Sequence, residues 1–166
     1  MKLPICRLQN SLNFRGGYTT VSLLFLNNSS LPAQAKATQK QANLQNGLAL
    51  KGYDPVSYFS AQKAVKGDSK FAMTEKGVTY YFSSRQNMEE FKKNPSKFEP
   101  QYGGWCAFAM GKDGSKVDVD PGTFKIIDGK LFLFYNQFFN NTLKSWNKDE
   151  DRLHKNADAN WERLIQ

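Results

Sequence analysis

The chain has 166 residues, 23 Lys plus Arg against 15 Asp plus Glu, a net charge of +8, two cysteines and one histidine. That length bounds one domain with room for a real core, and 40% hydrophobic with 14% aromatic residues excludes a disordered or low-complexity chain. So little His and Cys excludes a four-cysteine zinc site, a three-histidine catalytic zinc, a two-histidine blue-copper centre and a multi-disulfide scaffold.

Residues 1–35 read as a signal peptide. Lys2, Arg7 and Arg15 make a basic start, and no acidic residue precedes Asp54. Val21, Leu23, Leu24, Phe25 and Leu26 form an apolar stretch too short to span a bilayer. Ala33-Gln34-Ala35 then has the small-x-small pattern of a signal-peptidase site. Cleavage near Ala35 predicts a periplasmic or secreted mature chain; an organellar transit peptide and a structural N-terminal strand are the alternatives. Cleavage removes three basic residues and no acid, taking +8 to +5. It also removes Cys6, so Cys106 is left as a single thiol with no intramolecular partner. The interspersed acids and the absence of an arginine-rich stripe argue for a solvated mixed surface and against nucleic acid. The apolar run Leu131 to Tyr135 is strand length, so no membrane span is expected in the mature chain.

Residues 36–47, KATQKQANLQNG, are polar and read as a flexible linker, with one domain over 48–166. Asp54-Pro55 is an N-cap with proline at the first helical position, opening a short helix through Tyr58 and Phe59. Lys70 to Glu75 and Val78 to Phe82 flank Lys76-Gly77 as a hairpin. Ser83 with Gln86 three residues on predicts a capping box for a helix over 84–93, with Met88 and Phe91 on its apolar face. Asn94-Pro95 ends that helix and starts another short turn. Asp120-Pro121-Gly122 reads as a turn or helix start. Phe124 to Ile127 and Lys130 to Tyr135 surround Asp128-Gly129, a dipeptide suited to a tight hairpin turn. Leu153, Ala157, Trp161 and Leu164 recur at helical spacing near the C-terminus. Mixed order without β-α-β alternation predicts an α+β domain, a small antiparallel sheet of hairpins packed with short helices and a C-terminal helix.

Gly52-Tyr53-Asp54-Pro55-Val56-Ser57-Tyr58-Phe59, then Lys76-Gly77-Val78-Thr79-Tyr80-Tyr81-Phe82-Ser83-Ser84, then Phe91 with Asn94-Pro95 and Phe98, resemble the YHS domain family. The resemblance continues through Pro100-Gln101-Tyr102-Gly103-Gly104-Trp105-Cys106-Ala107, the Ile127 to Leu131 hairpin and Lys155 to Trp161, covering nearly all the chain after residue 47. It implies a stand-alone exported member of that family. Metal-handling relatives resemble Asp-Pro-x-Cys, then Tyr-Phe-Cys-Ser, then Gly-Cys a few residues on. Here Ser57 and Ser83 stand at the first two cysteine positions, and Gln86 to Met88 supply no third. A hydroxyl is a poor substitute for a thiolate toward a soft metal, so the metal inference does not transfer residue by residue.

Cys106 is the sharpest chemical candidate, and three readings of it stand side by side. Apolar neighbours Trp105, Ala107 and Phe108 suit an inert, buried thiol. With Met110 four residues on, thiolate and thioether suit a soft metal, copper above all, completed by Met73, Met88 or His154. A thiol enzyme would instead pair Cys106 with His154 as base. His154 itself has Asp151 three residues before it and Asp158 four after, both positioned to hydrogen-bond its ring. Asp118, Asp120 and Asp128 lack the alternating ligands and closing Glu of a hard-cation loop. The tyrosine-rich motifs place Tyr53, Asp54, Tyr58, Tyr81, Tyr102 and Trp105 as candidates for the rim of a small-ligand pocket. The resulting expectation is a binding module rather than an enzyme, with a small ligand or metal ion as partner. A purely structural or partner-binding envelope protein is the other alternative.

Overall fold

The structure is a computed structural model that describes residues 38–166. The signal-peptide reading and Cys6 lie outside the described residues. The architecture is α+β, with antiparallel hairpins, short helices and a C-terminal helix.

Lys76-Gly77 closes the first hairpin, with both residues at positive φ (48° and 81°), the geometry a two-residue turn requires. It joins β3 (Asp68–Glu75) to β4 (Val78–Phe82). Two strands that the sequence did not announce, β1 (Leu44–Gln45) and β2 (Leu48–Ala49), extend this sheet to the order β1-β2-β4-β3. The β2–β4 pairing, Leu48 to Thr79, is parallel, so the sheet is mixed where a purely antiparallel one was expected. Residues 38–47, expected as a linker, carry β1 and bond to the rest of the domain. Asn43 N–H donates to Gly103 O at 2.8 Å, and Gln41 Nε2 donates to Leu164 O at 2.9 Å.

The short helix α1 (Ser57–Ser60) follows Asp54-Pro55, and α2 (Arg85–Lys93) follows Ser84. The cap of α2 is Ser84, whose Oγ accepts from Asn87 N–H at 3.1 Å, not the expected Ser83. Ser83 is engaged elsewhere, as described below. Pro95 starts α3 (Pro95–Phe98), and α4 (Ala107–Asp113) ends on Gly114 at φ +77°.

Asp128-Gly129 closes the second hairpin, between β5 (Asp120–Ile127) and β6 (Lys130–Phe134). Strand β6 explains the division of the core. Leu131 and Leu133 point into one cluster, with Leu50, Tyr58, Phe82 and Phe91, while Phe132 and Phe134 point into another, with Met110, Trp146 and Leu153. Alternating side chains buried on both faces read as a continuous apolar run, which is what Leu131 to Phe134 is. A last hairpin, β7 (Asn136–Gln137) with β8 (Asn140–Asn141), leads through α5 (Thr142–Trp146) to α6 (Glu150–Ile165). On α6, Leu153 and Ala157 are buried, Trp161 is half-buried, and Leu164 is exposed. Among the described residues no helix is long and apolar enough to cross a membrane.

Candidate functional site

A cleft of about 820 Å³ opens where residues 38–43 meet the C-terminal end of α6, the inner face of β4 and the turn 99–103. Its geometry starts with backbone. Tyr102 and Gly103 sit at φ +53° and +61°, so the chain reverses tightly after Gln101. A Cβ at Gly103 would come within 3.0 Å of Gln41 O and 3.1 Å of the Trp161 ring, so glycine is needed there on both counts. The reversal presents Tyr102 to the cleft while its hydroxyl donates to Asp158 Oδ1 on α6 at 2.8 Å. Trp105 Nε1 donates to Gln41 O at 2.8 Å and fixes the N-terminal wall.

Two polar groups stand in this aromatic setting. Strand β4 alternates strictly, with Val78, Tyr80 and Phe82 buried and Thr79 and Tyr81 less so, and Val78 and Tyr80 line the cleft. Burial raises the Tyr80 phenol well above its ordinary value, helped by the negative charges of Glu99 and Glu75, so it stays a neutral hydroxyl. Glu99 also lines the cleft, with its side chain 29% exposed. Burial holds its carboxyl above the usual carboxylate range, opposed by Lys76 at 3.9 Å and reinforced by Glu75. Among the described residues the lining contains no cysteine and no histidine. It can therefore hold and orient a ligand, but the thiol and imidazole chemistry considered above lies outside it.

Of the pocket residues expected from sequence, Tyr102 alone lines this cleft. Asp54 and Tyr58 are fully buried and do not rim a pocket. The Tyr58 hydroxyl donates to Pro121 O at 3.0 Å, and burial raises its pKa, with Tyr53, Asp120 and Asp54 adding to the effect. Tyr53 is half-buried under Lys66, whose Nζ is 4.5 Å from the ring centroid. Tyr81 is on the other face of β4 from Tyr80. Asp54, Ser57 and Ser83 form a hydrogen-bond hub instead. Ser83 Oγ donates to Asp54 Oδ2 at 2.6 Å, while Ser57 Oγ lies within bonding distance of Asp54 O, Lys63 O and Val65 N.

The metal trio is divided between the two core clusters. Cys106 has no exposed surface and packs in the first core cluster, whereas Met110 belongs to the second. Tyr135 N–H donates to Cys106 Sγ at 3.4 Å, and Sγ lies 3.4 Å from Thr142 Oγ1. The Thr142 hydroxyl hydrogen is already given to Tyr135 O at 2.9 Å, so the Sγ–Oγ1 contact is one in which the thiol donates. A soft cation at Sγ would have to displace that proton and both contacts, and the donor set does not fit one. His154 packs edge-on against Phe132 at 5.0 Å and beside Trp146, with Asp158 at 3.8 Å, and makes no hydrogen bond to Cys106. Met73 and Met88 are partly buried against the first cluster. Among the described residues no three His, Cys, Asp or Glu side chains gather as a cation site.

Iodoacetamide labelling of Cys106, followed peptide by peptide in the mass spectrometer, is accordingly expected to be at least about tenfold slower in the native protein than in urea. Native labelling at the unfolded rate would mean that the thiol opens to solvent without unfolding.

Tyr80, Glu99 and Trp161 are the cleft residues that sequence reasoning missed. Strand alternation could have found Tyr80, a hydroxyl on the inner face of β4 that needs a polar outlet. Nothing local marks Glu99. Comparison with family models, with curated proteins and with solved structures returned no match.

Proposed function

We propose that the chain is a non-enzymatic, YHS-type binding module whose 38–43/α6 cleft takes a small amine with an apolar body. The observation that carries this reading is the partly desolvated Glu99 carboxyl beside the neutral Tyr80 hydroxyl in an aromatic cleft. A carboxylate that burial disfavours gains more from an incoming ammonium than a solvated one, because the ligand restores the lost stabilisation of its charge. Tyr102 and Trp161 supply apolar surface for the rest of the ligand, and Tyr80 a second hydrogen bond.

Calorimetric titration with phenethylamine and with 2-phenylethanol, which has the same ring and chain length, tests the reading. The amine is expected to bind about tenfold more tightly, the scale of a charge-assisted hydrogen bond over a neutral one. Glu99→Gln is expected to abolish the difference. No binding of either compound, or a preference that survives in Glu99→Gln, would overturn it.

The same carboxyl makes a stability prediction of fixed sign. Glu99 titrates higher in the folded than in the unfolded chain, so between the two pKa values the native state binds more protons and loses stability as pH rises. Glu99→Gln is therefore expected to raise Tm slightly at neutral pH. That gain should vanish once the pH falls below the ordinary carboxylate range, where Glu99 is protonated in both states. Melting curves across that range check it.

A further inference from the structure

The β7–β8 hairpin turns on Phe138 and Phe139, with Asn136 opposite Asn141 and Gln137 opposite Asn140. Both phenylalanines have positive φ, 51° and 62°, which is the backbone of the tight turn made elsewhere in this chain by Lys76-Gly77 and Asp128-Gly129. Bulky side chains are outliers in that region, and Asn-Gly is the pair it favours. Nor does burial compensate: Phe138 is 86% exposed and Phe139 111%. The base of the hairpin, in contrast, is tied down. Asn136 Nδ2 donates to Thr123 Oγ1 at 3.0 Å, and Thr142 N–H donates to Tyr135 O at 3.0 Å. Two rings are thus held out at the end of an anchored, strained turn, at a local cost and with no contribution to the core.

We propose that the Phe138-Phe139 turn inserts into the interfacial region of an anionic lipid surface. Charge decides between this and an apolar protein pocket. From Gly129 to Lys148 the sequence has no acidic residue, and Lys144 on α5 and Lys148 in the turn after it are exposed. The four residues flanking the rings are uncharged amides, Asn136, Gln137, Asn140 and Asn141. Paired aromatics at the tip, amides at the headgroup level and lysines behind match the polarity profile of a bilayer surface. This proposal does not depend on the ligand cleft.

Co-sedimentation of the full chain with phosphatidylcholine vesicles, with and without about 30 mol % phosphatidylglycerol, tests it. Wild-type protein is expected on the anionic vesicles, with binding that weakens as salt is raised. The double substitution Phe138→Asn/Phe139→Gly is expected to lower partition by at least about tenfold, since each lost ring removes that order of apolar transfer. It is also expected to raise Tm, because Asn-Gly suits the turn, so lost binding cannot be ascribed to unfolding. Any contribution of residues 1–35 is common to both proteins. Phe139→Trp reads the tip directly, with emission quenched by brominated anionic lipid beyond the quenching of the native tryptophans. Equal partition of the double variant, or no extra quenching in Phe139→Trp, overturns the proposal. So does wild-type protein that stays off both vesicles, an outcome that points to a protein pocket as the occupant.

Discussion

Asp54→Ala is expected to destabilise the fold by about 3–5 kcal/mol, the largest effect expected of a polar substitution among the described residues. Asp54 has no exposed surface, and among the described residues no lysine or arginine bonds to it. Four neutral donors solvate it instead. Oδ1 accepts from Val56 N–H at 2.8 Å; Oδ2 accepts from Ser83 N–H at 2.8 Å, from Ser83 Oγ at 2.6 Å and from Asn87 Nδ2 at 2.6 Å. One carboxylate therefore ties the start of α1 to the junction of β4 and α2. Truncation strands two backbone N–H groups at about 1–3 kcal/mol each, and the Asn87–Ser83 bond at 3.2 Å recovers only part of the loss. Asp54→Asn should cost less, about 2 kcal/mol, because its remaining oxygen serves Val56 and Asn87 can turn its own amide, leaving Ser83 N–H unmatched. Urea midpoints at unchanged m-value measure both. If Asp54→Ala costs no more than Asp68→Ala on the exposed start of β3, the hub is not what joins these elements.

This hub shows where the sequence was legible and where it stopped. Asp54-Pro55 was readable as the approach to α1 because a turn is local chemistry, a side-chain oxygen two residues from the Val56 N–H. Asp54 is not the expected cap, however: the helix begins at Ser57, with Val56 at its N-cap and no side-chain cap bond. That the same carboxylate reaches Ser83 and Asn87 was not readable, because those contacts span 29 and 33 residues. The same long reach explains the misplaced cap of α2. Ser83 and Ser84 are equivalent by type, and only the position of Asp54 assigns Ser83 to the hub and Ser84 to the helix.

Both long hairpins were legible for the reason that their turns are, since Lys76-Gly77 and Asp128-Gly129 encode positive φ in the dipeptide itself. Strands β1 and β2, two residues each, are too short to carry a period. Polarity likewise misled over residues 38–47. It predicts solvent contact, but Gln41 and Asn43 spend their polar groups on Leu164, Gly103, Gly104 and Asp118. The cleft is the extreme case: its walls come from separate stretches of chain, so its volume, and the burial that shifts Glu99, exist only after folding. Cys106 stood out by rarity, yet rarity says nothing about access, and the thiol is enclosed by Tyr135 and Thr142.

Gly111→Ala is expected to destabilise by about 3 kcal/mol or more, against a helix propensity that favours alanine over glycine by about 1 kcal/mol. The reason is the crossing of α4 and α6. A Cβ at Gly111 would overlap the Leu153 carbonyl oxygen and lie 3.0 Å from its carbon, both backbone atoms that no rotamer change can move. The helices must separate, which loosens Leu153 and Ala157 in the core and the 2.7 Å bond from Asn160 Nδ2 to Met110 O. Helix α6 also carries Asp158, which holds Tyr102, and Trp161 and Ile165, which wall the cleft. A fold defect at Gly111 should therefore reach the site, lowering phenethylamine affinity even where the protein remains folded. Gly114→Ala is the control. It meets a positive φ of 77° and costs about 1 kcal/mol, but its Cβ would touch only the side chain of Asn160, at 3.4 Å. Urea midpoints should fall in both variants and amine affinity in Gly111→Ala alone. Equal losses of affinity would mean that the cleft responds to overall stability and not to the seating of α6.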